Sequence, residues 1–147
     1  MVAIPDYING LFILPSFRAD PNGPRAPAIK VTLVKNSIFP IAKDVVAMLD
    51  TGSSTSALDE DLARDANLEL VREVEGISGL GLSRRVRTYR CGIFLDEFKQ
   101  LDNYECGAMP LKKAGKNFMV ILGMDFIKNF VVEINAGANQ VSLRRST

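Results

Sequence analysis

Apolar residues in this chain fall into short alternations and short unbroken runs. Ile29, Val31 and Leu33 alternate with Lys30 and Thr32, which predicts a half-buried strand. Residues 45–49 form an unbroken apolar run, typical of a strand that is buried on both faces, and residues 118–122 form a second one. These lengths are those of strands rather than helices, so the pattern predicts a mainly β chain.

Two hairpins are predicted on either side of the second apolar run. Residues 71–95 are expected to form two strands joined by a glycine-rich tip, Gly76-Ile77-Ser78-Gly79-Leu80-Gly81. Residues 131–134 and 140–143 flank a turn that contains Asn135, Gly137 and Asn139, which predicts a closing hairpin.

Helical signals are confined to two short stretches. Leu58, Leu62 and Ala66 are four residues apart, so residues 57–66 are predicted to form an amphipathic helix. Ser56 followed by Asp59 resembles a capping box that would begin this helix. Residues 125–129 predict one or two further helical turns.

Five of the seven prolines lie in the first 27 residues. Each proline fixes φ and removes a hydrogen-bond donor, so residues 18–27 predict an extended loop, preceded by a short edge strand within residues 10–17. We therefore expect a Pro-rich arm at residues 1–27 and one compact domain at residues 28–147, which suits a chain of 147 residues.

Composition narrows the possible chemistry. The chain has no histidine, which excludes Ser-His-Asp and Cys-His sites and histidine-ligated zinc, and two cysteines cannot build a four-thiolate site. A formal net charge of +1 argues against a nucleic-acid binder that works by bulk charge. Any catalysis must rest on carboxylates, hydroxyls, lysines or backbone groups, and we expect neither a metal nor a cofactor.

No lysine or arginine precedes Arg18, and the longest apolar run near the N-terminus is residues 11–14. Neither a signal peptide nor a membrane span is therefore predicted, and a soluble cytoplasmic protein is expected. In that reducing compartment Cys91 and Cys106 are expected to be free, half-buried thiols, with a disulfide between them as the alternative.

The chemically suggestive element is the apolar run 45–49 leading directly into Asp50-Thr51-Gly52. A carboxylate at the end of a buried strand is costly unless it is hydrogen-bonded or shares a proton. Gly52 allows the backbone to fold back tightly, while Thr51 and Ser53 add hydroxyl groups. Taken alone, Asp-Thr-Gly is also an ordinary turn sequence.

Two further motifs follow Asp50-Thr51-Gly52 along the chain. The glycine-rich tip Gly79-Leu80-Gly81 comes next, and then a second apolar run that ends in a glycine, Val120-Ile121-Leu122-Gly123. Together with the helices predicted after each strand, this order resembles the retropepsin family of aspartic proteases over roughly residues 28–145. Residues 121–127 look more like the cellular and bacterial members than the retroviral ones. The resemblance implies a closed β-barrel of the acid protease type with one or two short helices.

The resemblance also implies roles for individual residues. Asp50 would be the catalytic aspartate in an active-site loop with Thr51, Gly52 and Ser53. Thr51 would tie two such loops together by hydrogen bonds between subunits, and Gly52 would contact the dyad and the substrate through its backbone. The flap over the substrate would be Gly79, Leu80 and Gly81, and the structural loop behind the site would contain Leu122 and Gly123.

Because the chain contains one Asp-Thr-Gly, the implied enzyme is a homodimer. Asp50 from each copy would meet at the two-fold axis and activate a water for hydrolysis of an extended peptide with large apolar side chains. Neither a nucleic acid nor a membrane is an expected partner. In viral relatives the chain termini interleave at the dimer interface, and here the hairpin of residues 131–143 is a candidate to serve instead.

Several points depart from the family pattern or stay open. Ser54 and Met124 stand where viral members usually have an acid and an arginine that pair, so another packing solution must replace this ion pair. A hydrogen bond from the Ser53 hydroxyl to Asp50 would favour the ionised carboxylate and an acidic optimum, which Ser53→Ala would shift upward. Arg84, Arg85, Arg87 and Arg90 are interpreted as a solvated strand face, with a site for an acidic partner as the alternative.

Two other readings of the whole chain remain. One is a dimeric retropepsin-like module that binds peptides without cutting them. The other is an unrelated, monomeric small β-barrel in which Asp50 caps a turn.

Overall fold

The computed structural model describes residues 3–77 and 83–146. Within these residues the chain forms eleven strands, two short α-helices and one 3-10 helix, so the expectation of a mainly β chain is confirmed. The elements in chain order are β1 (Tyr7–Asn9), β2 (Leu11–Ile13), β3 (Ala26–Lys35), β4 (Phe39–Leu49), β5 (Ala57–Asp59), α1 (Glu60–Asp65), β6 (Glu69–Ile77), β7 (Ser83–Leu95), β8 (Gln100–Met109), β9 (Val120–Leu122), α2 (Met124–Ile127), β10 (Phe130–Asn135), the 3-10 helix (Ala136–Ala138) and β11 (Gln140–Arg145).

Eight strands form the larger sheet, in the order β2-β3-β4-β9-β5-β8-β7-β6. Most neighbours are antiparallel, whereas β4 with β9 and β5 with β8 run parallel. β3 also pairs with β7, which links six of the strands in a cycle of pairings. This cycle is what the expected closed barrel requires, although full closure stays a prediction.

A smaller antiparallel sheet has the order β1-β11-β10. Its β10–β11 hairpin confirms the closing hairpin predicted from the turn residues. The N-terminal segment contributes to both sheets, because β1 pairs with β11 while β2 pairs with β3 as a short edge strand. β3 already begins at Ala26, just inside the segment that the prolines led us to predict as an extended loop.

The core lies where the two sheets and α2 meet. Ile29, Val31 and Leu33 of β3 are fully buried, as their alternation predicts, but Thr32 is buried as well, so this end of the strand is buried on both faces rather than half-buried. Phe126 of α2 packs against Phe130 with ring centroids 4.9 Å apart, so the helix is anchored in the same core as the smaller sheet. Cys91 and Cys106 are free thiols, as expected, but they are fully buried rather than half-buried.

The helix predicted at residues 57–66 begins later than expected. Residues 57–59 form β5, which pairs with β8 and β9, and α1 begins only at Glu60. The N-cap is Asp59, whose carboxylate accepts a hydrogen bond from the Leu62 amide at 3.3 Å, so the prediction that Ser56 caps the helix is wrong. Residues 57–59 are extended because they pair with two neighbouring strands, and this pairing outweighs their helical local pattern.

The second apolar run and the turn after it are placed as predicted, but the regular elements are shorter. The strand in residues 118–122 covers Val120–Leu122, and the helical turn covers Met124–Ile127. Among the described residues, no helix has the length and apolar character needed to cross a membrane.

Candidate active site

The Asp50 loop begins where β4 ends beside its parallel neighbour β9. The Asp50 amide donates to the Leu122 carbonyl oxygen at 2.9 Å, which continues the pairing of the two strands to the aspartate. The chain then turns: the Gly52 amide donates to Asp50 Oδ1 at 2.9 Å and the Ser53 amide to the Asp50 carbonyl oxygen at 3.2 Å. Asp50 is half-buried and Thr51 is exposed, so the carboxylate is held in place at the edge of the molecule.

Gly123 lets the turn after β9 pack directly against the Asp50 loop. A Cβ atom at this position would lie 2.4 Å from the Thr55 carbonyl oxygen and 2.8 Å from that of Ser53. Both neighbours are backbone atoms, so no side-chain rotation relieves such a contact. The position behind the loop that the resemblance assigned to Gly123 therefore has a steric basis that requires glycine.

Ser56 and Asp125 join the two turns more tightly. The Ser56 hydroxyl donates to Asp125 Oδ1 at 2.7 Å, and the Ser56 amide donates to Asp125 Oδ2 at 3.0 Å. The Ser56 oxygen in turn accepts from the Gly123 amide at 3.1 Å. The amides of Met124 and Asp125 donate to the Ser53 and Ser54 carbonyl oxygens at 2.8 and 3.1 Å. These hydrogen bonds join the two turns at Ser54 and Met124, where the sequence led us to expect some packing arrangement other than an ion pair. The sequence did not single out Ser56 or Asp125 for this role.

The Ser53 hydroxyl forms its hydrogen bond within the loop. It donates to the Thr55 carbonyl oxygen at 2.7 Å instead of to the Asp50 carboxylate. The expected bond from Ser53 to Asp50 is therefore not the one formed, and the expected effect of Ser53 on the pH optimum loses its basis.

A groove of about 1080 Å³ opens beside the loop. Its lining includes the part of the loop from Gly52 to Ala57, which follows Asp50, and Val74, Val86 and Thr88 of β6 and β7. The groove continues past Asp125 toward Tyr104 and Asn129. It is thus bordered both by apolar side chains and by polar groups, as a site for an extended chain would need to be.

Charged side chains on β6, β7 and β8 pair with one another. Arg72 Nε and Glu105 Oε2 lie 2.8 Å apart at the groove, and this hydrogen bond lowers the pKa of Glu105. Glu73 is shared by Arg85 and Arg87 at 3.4 and 3.0 Å, while Arg90 lies 3.4 Å from Glu69. These pairs favour the interpretation of a solvated strand face over a site for an acidic partner.

The predicted flap residues Gly79, Leu80 and Gly81 lie outside the described residues. Within residues 3–77 and 83–146, no group of three or more acidic or cysteine side chains is arranged to hold a metal ion. The site that the structure brings together is thus the Asp50 loop, the turn after β9 and the groove.

Comparison with known proteins identifies the family. A family model described as aspartyl protease matches residues 33–126, which is more than half of the chain and contains both the Asp50 loop and the turn after β9. The chain belongs to the aspartyl protease family. A search of curated protein sequences finds no significant match.

Matches to solved structures include two proteases. One is a retropepsin-like aspartic protease from Rickettsia conorii, 14% identical, with a TM-score of 0.52 over 96% of this chain and 92% of that one. The other is EIAV protease in complex with the inhibitor HBY-793, 20% identical, with a TM-score of 0.45 over 75% of this chain and 92% of that one. At this identity the likeness to the Rickettsia protein establishes a retropepsin-like fold, which confirms the resemblance drawn from the sequence motifs.

Proposed function

We propose that this protein is an aspartic endopeptidase whose active site forms from the Asp50 of two copies. The observation that carries the proposal is the intact Asp50-Thr51-Gly52 loop. Its carboxylate is fixed at one oxygen by the Gly52 amide, 2.9 Å away, and the loop continues directly into the wall of a groove. A turn-capping aspartate in an unrelated fold would account for the hydrogen bond but not for the family match.

Hydrolysis of this kind needs two carboxylates that share one proton. The ionised aspartate takes a proton from water, the water oxygen attacks the scissile carbonyl carbon, and the protonated aspartate donates its proton to the carbonyl oxygen. The tetrahedral intermediate then collapses as the peptide nitrogen is protonated and leaves. Two like charges this close cannot both ionise easily, so the pair titrates as a unit.

One chain supplies half of that dyad, because its sequence contains a single Asp-Thr-Gly. A symmetric dimer in which both copies use the same surface completes it. Thr51 is exposed beside Asp50, which suits the proposed hydrogen bonds between the two loops. Gly79, Leu80 and Gly81 keep their proposed role as the flap that covers the bound substrate.

The groove supports an extended peptide as the substrate. Its volume of about 1080 Å³ accommodates several residues, and Val74 and Val86 contribute apolar surface to its lining. The unoccupied hydrogen-bonding groups of an extended peptide can pair with backbone at the groove walls, which gives affinity with little sequence preference.

The test is digestion of a peptide library, with cleavage read by mass spectrometry from about pH 3 to 7. The wild type is expected to cut, and Asp50→Asn is expected to lose cleavage while keeping its fold, since an amide oxygen can still accept from Gly52. The matched control is Asp44→Asn, an exposed aspartate on the same strand, which should cut like the wild type. Cleavage by Asp50→Asn at the wild-type rate would refute the assignment.

A dimeric module that binds peptides without cutting them is the second candidate. The same library separates the two, because a binding module retains peptides in a pull-down and leaves them intact at every pH.

A further inference from the structure

The smaller sheet ends in an unpaired strand. β10 pairs with β11 on one side, and within the described residues it has no strand neighbour on the other. An open edge of this kind exposes a row of backbone donors and acceptors that can pair with another chain.

The other open edges of the molecule are less suited to pairing. β1 and β2 have only three residues each, and Pro5 and Pro15 lie close to their ends. β6 carries four charged side chains, Glu69, Arg72, Glu73 and Glu75, which protect an edge from pairing. β10 has six residues, Phe-Val-Val-Glu-Ile-Asn, with one charge among them.

One large apolar side chain on β10, Ile134, is exposed although it lies on the core-facing side of the sheet. Ile134 lies opposite Val141 and on the same face as Val132 and Leu143, the face that packs into the core. Val141 and Leu143 are buried, yet Ile134 is 48% exposed. Ile134 is therefore a large apolar side chain that stays uncovered on the core-facing side of the edge strand.

From these observations we infer that the β10 edge is the surface on which a second copy docks, by antiparallel pairing of β10 with β10. This rests on the proposed function, in which two copies complete the dyad. A two-fold axis perpendicular to the strands generates such pairing, and a continuous six-stranded sheet β1-β11-β10-β10-β11-β1 results.

The strand sequence supports a symmetric pairing. With the axis at Val132, Ile134 of each copy lies opposite Phe130 of the other and becomes covered. The two Glu133 side chains are then offset from one another, so no like charges stand directly opposite. The N-terminal strand β1 is paired with β11 in its own chain, which leaves β10 as the long open edge of this sheet.

The first test compares the same substitution at two exposed isoleucines. Ile134→Lys places a cation from each copy in the interface, and we expect the dimer dissociation constant to rise at least about 100-fold by light scattering. Cleavage should fall in parallel and return at high protein concentration. The control is Ile38→Lys in the turn between β3 and β4, 73% exposed, which should remain as dimeric and active as the wild type.

The second test maps the interface by cross-linking. Glu133→Cys on β10 is expected to cross-link between copies with a short bis-maleimide, and Asn9→Cys on the β1 edge is not. The natural thiols do not interfere, because Cys91 and Cys106 are each 1% exposed and burial raises the pKa of both.

The outcomes separate this inference from the proposed function. If the wild type is an active dimer but Ile134→Lys dimerises equally well, or if Asn9→Cys cross-links in place of Glu133→Cys, the β10 interface is wrong and the protease assignment stands. A wild type that is monomeric and inert toward the library overturns both.

Discussion

Ser56 Oγ donates a hydrogen bond of 2.7 Å to Asp125 Oδ1, across 69 positions of sequence. Ser56 ends the loop that Asp50 begins, and Asp125 lies in the first turn of α2. The same carboxylate accepts from the amides of Ser56 and Phe126 at 3.0 and 2.8 Å. One acidic side chain thus fixes the far end of the candidate catalytic loop to a helix that is itself buried in the core.

Asp125→Ala should destabilise the fold and slow catalysis together. The substitution leaves the Ser56 amide and hydroxyl without their acceptor, which costs about 1–3 kcal/mol in the free energy of unfolding. Urea unfolding measures that loss, and steady-state kinetics should show a fall in kcat larger than any rise in KM, because the Asp50 loop shifts while the groove walls remain.

Asp125→Asn refines this prediction. An amide replaces one of the two oxygens by an NH2 group, so it cannot accept from the Ser56 hydroxyl and the Ser56 amide through two separate atoms as the carboxylate does, and an intermediate loss is expected. Asp65→Asn is the control, because Asp65 is exposed at the end of α1 and pairs only with Arg64 at the surface. Equal stability of all three variants would show that the loop does not depend on the Asp125 carboxylate.

Gly123→Ala should be disruptive for a steric reason alone. The added Cβ would lie 2.4 Å from the Thr55 carbonyl oxygen, so the turn after β9 and the Asp50 loop must move apart. We expect about 1–3 kcal/mol of destabilisation, as for other overpacked positions, and a marked loss of cleavage. Gly137→Ala is the matched control, because its Cβ would come no closer than 3.7 Å to another atom; thermal unfolding of the two variants should differ clearly.

The sequence predicted the elements that carry a recognisable local pattern of their own. The apolar run 45–49, the turn at Asp50-Thr51-Gly52 and the β10–β11 hairpin are each marked by an apolar run or by turn residues, and the structure forms each of them. Residues 45, 46 and 48 are half-buried, however, so the strand is not buried on both faces along its length as predicted. By contrast, β8 was not predicted: the alternation in its sequence Gln-Leu-Asp-Asn-Tyr-Glu-Cys-Gly-Ala-Met is confined to Tyr104, Cys106 and Ala108. Its strand conformation is instead supported by long pairing with β7.

The candidate site likewise contains residues that the sequence predicted and residues that it did not. Asp50 and Gly123 stand in recognisable motifs, so their positions followed from the sequence. Ser56 misled the helix prediction, since the spacing of Ser56 and Asp59 imitates a capping box while the Ser56 side chain actually bonds to Asp125. A partner 69 residues away leaves no local signal, and the pairing of β9 with both β4 and β5 brings the two together.

Ser53→Ala is expected to leave the pH profile of cleavage unchanged. The hydroxyl donates to the Thr55 carbonyl oxygen at 2.7 Å, so removing it affects the loop backbone and not the charge on Asp50. A modest loss of stability, about 0.5–1.5 kcal/mol, is the expected cost of one such hydrogen bond. The measurement is kcat/KM from about pH 3 to 7. An alkaline shift of the optimum would indicate that the Ser53 hydroxyl bonds to Asp50, as the sequence first suggested.

The buried thiols make the fold sensitive to alkali. Burial raises the pKa of Cys91 to about 11 from its ordinary value of 9.0, and it also raises the pKa of Cys106. A thiol whose pKa is raised on folding contributes stability that is complete below the unfolded pKa and is lost as the pH rises toward the folded one. The window for Cys91 is therefore about pH 9 to 11, where the unfolded chain ionises first.

We expect the free energy of unfolding to fall across this window by on the order of 2–3 kcal/mol for Cys91, from its shift of about two pKa units. Guanidinium unfolding at pH 8, 9, 10 and 11 measures the fall. Cys91→Ala is the comparison: it begins less stable because it leaves a small cavity, but its stability should decline less steeply, since lysine and tyrosine ionisation affects both proteins equally. Parallel curves for the two proteins would mean that the Cys91 thiol ionises as easily in the folded chain as in the unfolded one.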